Sequence, residues 1–186
     1  MTGLPESLPP PSPALAAMEV EADPACARLG PLGRQEVAAR AFAYGAARGH
    51  LLPERPCARA VSAAARDLGA GIRRSGRAAP AGVLFFGDYS EKDHMITLYT
   101  DAIGQYARHL RITADEAEAV TVAHELFHHL EATGQSDVYA EFALPRFALA
   151  GRPVGRLRPR SVAEAAAHGF ASVILERTHH RNEREG

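Results

Sequence analysis

The sequence predicts an α+β fold in which a short antiparallel sheet packs on one long helix and further helices surround both. Two β-rich runs, VLFFGDY and HMITLYT, are separated by the polar turn SEKD, and this pattern is typical of a hairpin. Alanine-rich segments on either side carry apolar residues at helical spacing. With 186 residues, 46% of them hydrophobic, the chain can bury one core and has little room for a second domain.

Helices are predicted before and after this hairpin. The segments GRQEVAARAFAYGAARGH and CARAVSAAARDLGAGIRR predict two scaffold helices, the second of which extends past Leu68 to Ile72. The segment 137–150 is predicted to be helical with an interruption at Pro145, and GRPVGRLRPR after it is predicted to be a solvated loop. Ser161 then begins a last helix.

Proline content sets the predicted domain boundaries. Residues 1–32 are predicted to form a disordered, proline-rich arm, because the run ESLPPPSP disfavours regular helices. The folded domain is then expected over residues 33–178, and residues 179–186 are expected to be a polar tail. The arm has neither the basic start nor the apolar run of a signal peptide, so secretion by that route is not expected.

Charge and cysteine content narrow the classes of function. The formal net charge of -1 produces no field that would favour nucleic acid or an anionic membrane as a partner. No stretch is long and apolar enough to predict a membrane span. The two cysteines, Cys26 and Cys57, form no CxxC pair, and a reducing, cytoplasmic location is therefore expected.

The stretch TVAHELFHHLEATG contains an HExxH motif on a predicted helix. Thr113 and Glu116 have the spacing of a capping box at the start of that helix, and Gly134 is its expected stop. His124 and His128 are four residues apart, so their imidazoles lie on the same face of the helix and can bind one metal ion.

Glu125 lies to one side of the histidine pair, where HExxH sites place a general base for a metal-bound water. The predicted helix is apolar on two faces, so two unpaired imidazoles would be costly to bury there. We therefore favour a metal site, most simply for Zn²⁺, over a hydrogen-bonded structural pair. His129, on the far side of the helix, is expected to be a packed or surface histidine.

A catalytic zinc ion usually has three protein ligands, and the last helix offers the third. Glu164 and His168 lie on its predicted inward face, where a carboxylate needs a cation or strong hydrogen bonds. Glu164 is the favoured ligand, with His168 beside it as a supporting or substrate-side group, and ligation by His168 is the alternative. Ser161 and Glu164 also have the spacing of a capping box, which would occupy the same carboxylate. Weaker candidates lie closer to the motif: Glu131, Asp137 and Glu141.

The segments AHELFHHLE and EAAAHGFASVIL resemble the gluzincin-like HExxH zinc metallopeptidases, and most closely the compact ImmA/IrrE-type group. In that group the motif helix is followed by a helix of pattern E-x-x-A-N-x-F-A-x-x-L-L, and His168 stands here where asparagine is common. The resemblance covers the second half of the chain. It implies a small zincin-like domain with the substrate along the edge strand of the hairpin, Glu125 as the base, and Zn²⁺ bound by His124, His128 and Glu164.

The motif and the resemblance together predict a zinc metallopeptidase that cleaves a protein or peptide. Glu125 would take a proton from the attacking water and pass it to the leaving amine. Tyr99, Tyr139 and His168 are the candidates to stabilise the oxyanion. The alternative is a zinc-stabilised, non-catalytic binding or scaffold protein of the same fold, in which a fourth protein ligand would replace the water.

Overall fold

The computed structural model describes residues 9–76, 86–142, 144–149 and 152–185. Three helices precede the first sheet: α1 (Pro13–Ala22), α2 (Gly30–Ala47) and α3 (Ala58–Asp67). The strands of that sheet are β1 (Gly71–Ser75), β2 (Gly87–Ser90) and β3 (Met95–Tyr99). The remaining elements are α4 (Thr100–Leu110), α5 (Ala114–Ala132), α6 (Val138–Glu141), β4 (Leu144–Leu149), β5 (Arg152–Leu157) and α7 (Arg160–Glu185). This mixture of helices and a small sheet is the predicted α+β class.

The first sheet has the strand order β1-β3-β2. β2 and β3 pair antiparallel with Gly87 opposite Leu98, which confirms the predicted hairpin for the residues that the structure describes. β1 lies parallel to β3 on the other side, so the sheet is mixed, and the prediction of a purely antiparallel sheet is wrong for this strand. The prediction of a helix through Ile72 is wrong as well. The helix ends because the backbone turns at Gly69, whose φ of +98° favours glycine, and Ile72 then pairs as a strand residue.

A second hairpin occupies the region between α6 and α7. β4 and β5 pair antiparallel with Leu144 opposite Leu157, so the predicted helix over 137–150 and the predicted loop after it are wrong. Only one helical turn follows Asp137, because Pro145 cannot supply the backbone N–H that a continuing helix needs.

The amino-terminal segment is folded from Pro13 onward, and the prediction of a disordered arm over residues 1–32 is wrong for this part; residues 1–8 lie outside the described residues. Pro13 occupies the first position of α1, where a missing N–H costs nothing, and Ser12 caps the helix. Ala16 and Val20 are fully buried, since α1 packs against α2 and α7. The proline run therefore precedes a helix, and it does not make the residues after it disordered.

α7 is the central helix of the structure and packs against α1, α2 and α5. It continues through Glu185, so the predicted polar tail over residues 179–186 is helical as far as the structure describes it. α2 crosses α7 at two glycines: a Cβ on Gly45 would lie 1.8 Å from the Ala166 carbonyl oxygen, and one on Gly169 would lie 1.9 Å from that of Phe42. Among the helices described, none combines the length and hydropathy needed to cross a membrane.

Candidate metal centre

The capping box that begins α5 is present as predicted. The Thr113 hydroxyl accepts from the Glu116 amide at 3.1 Å, and the Glu116 carboxylate accepts from the Thr113 amide at 2.7 Å. Thr133 is the C-cap and Gly134 follows with φ +72°, also as predicted. These two signals set the first and last residues of the helix that contains the HExxH motif.

His124, His128 and Glu164 converge on one point between α5 and α7. Nε2 of His124 lies 3.2 Å from Oε2 of Glu164, Nε2 of His128 lies 3.3 Å from the same oxygen, and the two Nε2 atoms are 3.3 Å apart. In a tetrahedral zinc site with bonds of about 2.0–2.1 Å, neighbouring ligand atoms are about 3.3–3.4 Å apart. The three atoms therefore have the spacing of ligands around one ion, and this cluster could bind a metal ion.

The two oxygens of Glu164 have different partners. Oε2 faces the imidazoles, whereas Oε1 accepts from Nε of Arg160 at 2.9 Å. The alternative in which Ser161 and Glu164 form a capping box is wrong, because α7 begins at Arg160, which places Ser161 inside the helix, and the Ser161 hydroxyl donates to Asp23 at 2.7 Å. The carboxylate is thus free to face the histidine pair.

The electrostatics of the cluster leave it in a form that suits ligation. Burial lowers the pKa of His124 to about 4, so that this imidazole is neutral at pH 7. Burial opposes a proton on His128 as well, but the hydrogen bond and charge of Glu164 outweigh it and raise the pKa of His128. Burial would raise the pKa of Glu164, yet the hydrogen bonds from both histidines hold it well below its usual range. An ionised carboxylate therefore faces at least one neutral imidazole.

Glu125 borders the cluster without belonging to it. Its side chain is 8% exposed and lines a recess of about 330 Å³ together with His124, His128 and Glu164. Burial raises the pKa of Glu125 to about 7, so that the carboxyl group can gain or lose a proton near neutral pH. This is the position that the motif predicted for a general base.

The edge strand β2 lies against α5 beside Glu125. A Cβ on Gly87 would be 2.9 Å from Cγ2 of Thr121 and 3.0 Å from Cγ of Glu125, so only glycine permits this approach. The Phe86 carbonyl accepts a hydrogen bond from the Tyr99 amide at 2.9 Å, so Phe86 and Tyr99 are a hydrogen-bonded pair of the β2–β3 ladder. By the alternation of an antiparallel ladder, the backbone groups of Gly87 and Tyr89 point away from β3 at the free edge of the sheet, and both residues line the recess beside Glu125.

The other candidate residues lie outside the ligand cluster. Nε2 of His168 is 3.1 Å from Oε1 of Glu19, and its ring centroid is 4.8 Å from that of His124, so His168 supports the site from one side. The hydroxyl of Tyr99 donates to Asp88, and that of Tyr139 donates to the Pro159 carbonyl. Neither tyrosine lines the recess around Glu125.

The weaker ligand candidates have structural partners instead. Glu131 accepts from the Val138 amide at 3.0 Å, and Asp137 caps α6 through the Ala140 amide at 3.0 Å. Glu141 is exposed and is not among the three residues of the cluster. None of the three replaces Glu164.

His129 has the packed role that was predicted for it. It is 1% exposed, with Nδ1 at 3.0 Å from the Tyr89 hydroxyl and Nε2 at 3.0 Å from the Leu68 carbonyl. These contacts join α5 to the sheet and to the end of α3, on the side away from the cluster.

Two residues of the site were missed from the sequence. The sequence predicts a solvated loop around Arg160, although its spacing of four residues before Glu164 is a usable signal of a pair on a helix. Glu19 falls in the predicted disordered arm, and no local pattern connects it with His168, from which it is separated by 149 positions.

No protein-family model, no curated protein and no solved structure matches this chain. We therefore infer its function from the geometry and chemistry of the cluster.

Proposed function

We propose that the protein is a zinc metallopeptidase of small zincin-like fold that hydrolyses a peptide bond in a protein or peptide. The observation that carries this proposal is the triangle of two imidazole nitrogens and one carboxylate oxygen, with a second carboxylate, Glu125, next to it but outside it. Two free thiols, Cys26 and Cys57, support a reducing compartment such as the cytoplasm.

The donor set fits Zn²⁺. Two imidazoles and one carboxylate are ordinary ligands of catalytic zinc, and three protein ligands leave one position of a tetrahedron for water. Bound there, Zn²⁺ would polarise the scissile carbonyl and make water a stronger nucleophile at neutral pH. Arg160 would keep Oε1 of Glu164 away from the ion, so that the carboxylate binds through Oε2 alone.

Glu125 is the group of this chain that would move the proton. It takes a proton from water as the water oxygen bonds to the peptide carbonyl carbon, and it gives that proton to the amine nitrogen as the C–N bond breaks. The outward backbone groups of Gly87 and Tyr89 would bind the peptide main chain by adding it to the edge of the sheet. No group of the protein becomes covalently attached to the substrate.

Two features favour hydrolysis over a non-catalytic scaffold. A closed structural site needs a fourth protein ligand, and the cluster found among the described residues has three members. In addition, a buried carboxyl group whose pKa is about 7 borders an open recess, which a scaffold does not need.

The substitution Glu125→Gln tests this function. Both the wild-type protein and the variant should bind about one Zn²⁺ per chain, because Glu125 is not a ligand. Cleavage of casein or of a peptide library, followed by mass spectrometry, should occur with wild-type protein and be lost in the variant. His124→Asn should lose both metal and cleavage. Zinc-loaded wild-type protein that cleaves none of these substrates would instead support the scaffold.

A further inference from the structure

A cavity of about 290 Å³ is lined by His124 but not by His128, and it lies between the metal cluster and the amino-terminal segment. Its inner end is polar and is formed by His124, Glu125 and Glu164. The rest of the wall is mostly apolar and comes from residues 9–19, from α4 and α5 and from the residues at the start of β2, with Glu19 and His168 as its charged or titratable members. We call this space the apolar cavity.

The floor of the apolar cavity is aromatic. The rings of Phe86 and Tyr106 are stacked with their centroids 4.3 Å apart, and Val120 lies beside them on α5. Burial raises the pKa of Tyr106 above its ordinary value, so this phenol stays neutral and the floor carries no charge.

The outer wall of the apolar cavity belongs to residues 9–19. Pro9, Pro11 and Leu15 line it, and Glu19 completes it next to His168. This wall is held in place by the buried side chain of Ala16 and by the contact between Glu19 and His168 at 3.1 Å. The amino-terminal segment is therefore part of the site.

We propose that the apolar cavity binds an apolar side chain of the peptide substrate, next to the scissile bond, and that residues 9–19 determine which side chain is accepted. This inference rests on the proposed peptidase function and adds the class of substrate to it. The backbone of Gly87 binds the peptide main chain, which places the adjacent side chain at the mouth of the cavity.

The lining predicts a strong preference. Transfer of a side chain the size of leucine or phenylalanine from water to an apolar wall favours its binding. An aspartate would lose its hydration and would face the carboxylates of Glu19, Glu125 and Glu164. We expect peptides with an apolar residue at this position to be cleaved at least about tenfold faster than the peptide with aspartate there.

The test uses the full chain loaded with Zn²⁺ and a set of hexapeptides that differ only at one central position, X. Mass spectrometry gives the cleavage site and the relative kcat/KM for X = Leu, Phe, Asp and Lys. In parallel, the zinc-loaded Glu125→Gln protein is titrated calorimetrically with the X = Leu and X = Asp peptides. Cleavage without preference for X would overturn the inference and leave the peptidase function standing. Selective binding of the X = Leu peptide without cleavage by the wild-type protein would overturn the peptidase function and leave the apolar cavity as a binding site for an apolar side chain.

Two variants on the same helix test the role of the amino-terminal wall. Leu15→Asp places a carboxylate in the wall and should reduce the preference for X = Leu over X = Lys about tenfold, because the new carboxylate attracts the lysine and makes the wall less apolar. Met18→Asp makes the same kind of change on α1 at a side chain that is 62% exposed and away from the cavity, and should leave the preference unchanged. Equal effects of the two variants would contradict the assignment.

The melting temperature of each variant shows whether it is folded, and a milder substitution at Leu15 provides a second test. Leu15→Phe adds volume without charge and should slow cleavage of the X = Phe peptide more than that of the X = Leu peptide. An unchanged ratio between these two peptides, with the protein folded, would show that Leu15 is not part of the wall that selects the substrate.

Discussion

Nε of Arg160 lies 2.9 Å from Oε1 of Glu164, one turn apart on α7. An arginine at the first residue of a helix stands at the end that disfavours positive charge. Its side chain is 88% exposed, and an exposed ion pair contributes little to stability. The pair is thus better explained by its effect on the carboxylate, whose other oxygen faces His124 and His128.

The substitution Arg160→Gln should weaken Zn²⁺ binding about tenfold, since groups that orient a metal ligand commonly contribute 10- to 100-fold to affinity. Competition with a chromophoric chelator measures this affinity. The melting temperature of the metal-free protein should change little. Arg40→Gln is the matched control, because Arg40 forms an exposed pair with Glu36 at the same helical spacing and at 3.6 Å.

Arg160→Lys should restore part of the affinity, because it keeps the charge and loses the planar donor. Equal affinities for wild type and Arg160→Gln would show that Glu164 is held by other contacts.

The substitution Gly87→Ala should disturb the site without touching a metal ligand. Its Cβ would lie 2.9 Å from Thr121 and 3.0 Å from Glu125, so that β2 or Glu125 must move. We expect peptide cleavage to fall at least tenfold, with unchanged zinc stoichiometry and a stability loss of about 1–3 kcal/mol. Gly76→Ala is the control, because a Cβ there meets no atom of the described residues within 4 Å. Full activity of Gly87→Ala would show that this contact can relax.

The substitution Val20→Ala tests whether α1 belongs to the folded core. Val20 is fully buried, so we expect a loss of about 2 kcal/mol in the free energy of unfolding, measured by denaturant titration. Met18→Ala changes a 62% exposed side chain on the same helix and should remain within about 0.5 kcal/mol of wild type. If both variants were as stable as wild type, the amino-terminal segment would not be packed in solution.

The substitution Gly45→Ala should separate α2 from α7. Its Cβ would be 1.8 Å from the Ala166 carbonyl oxygen, and this clash involves backbone, so we expect a loss of about 3 kcal/mol or more. Gly104→Ala on α4 has the opposite expectation, a gain of about 0.5–1 kcal/mol, because its nearest contact is a mobile arginine end at 3.8 Å. A lower melting temperature for Gly45→Ala and a higher one for Gly104→Ala, each relative to wild type, would agree with the close crossing of α2 and α7.

The parts of the structure that could be predicted are those encoded by neighbours in sequence. The capping box of Thr113 and Glu116 and the helical spacing of the two histidines depend on three- and four-residue intervals, and both are present. Glu164 could be predicted as well, because a carboxylate on the inward face of a helix needs a partner.

The parts that could not be predicted depend on contacts between distant segments. β1 forms because residues 71–75 pair with residues 95–99, and no local pattern distinguishes it from the end of α3. The second hairpin likewise forms because residues 144–149 pair with residues 152–157. The prediction of disorder for the α1 segment rests on its proline content. The alanine-rich run after Pro13 favours a helix, and proline at the first position of a helix is tolerated.

Two of the three cluster residues are close even in an isolated helix, whereas Glu164 is 40 positions from His124 and reaches it only when α7 has docked. An ion held by all three therefore recognises the packed chain and not its partly folded precursors. Raising the zinc concentration would then lower the rate constant of unfolding and leave the rate constant of refolding nearly unchanged. The lifetime of the native state, more than the speed of its formation, would depend on the supply of metal.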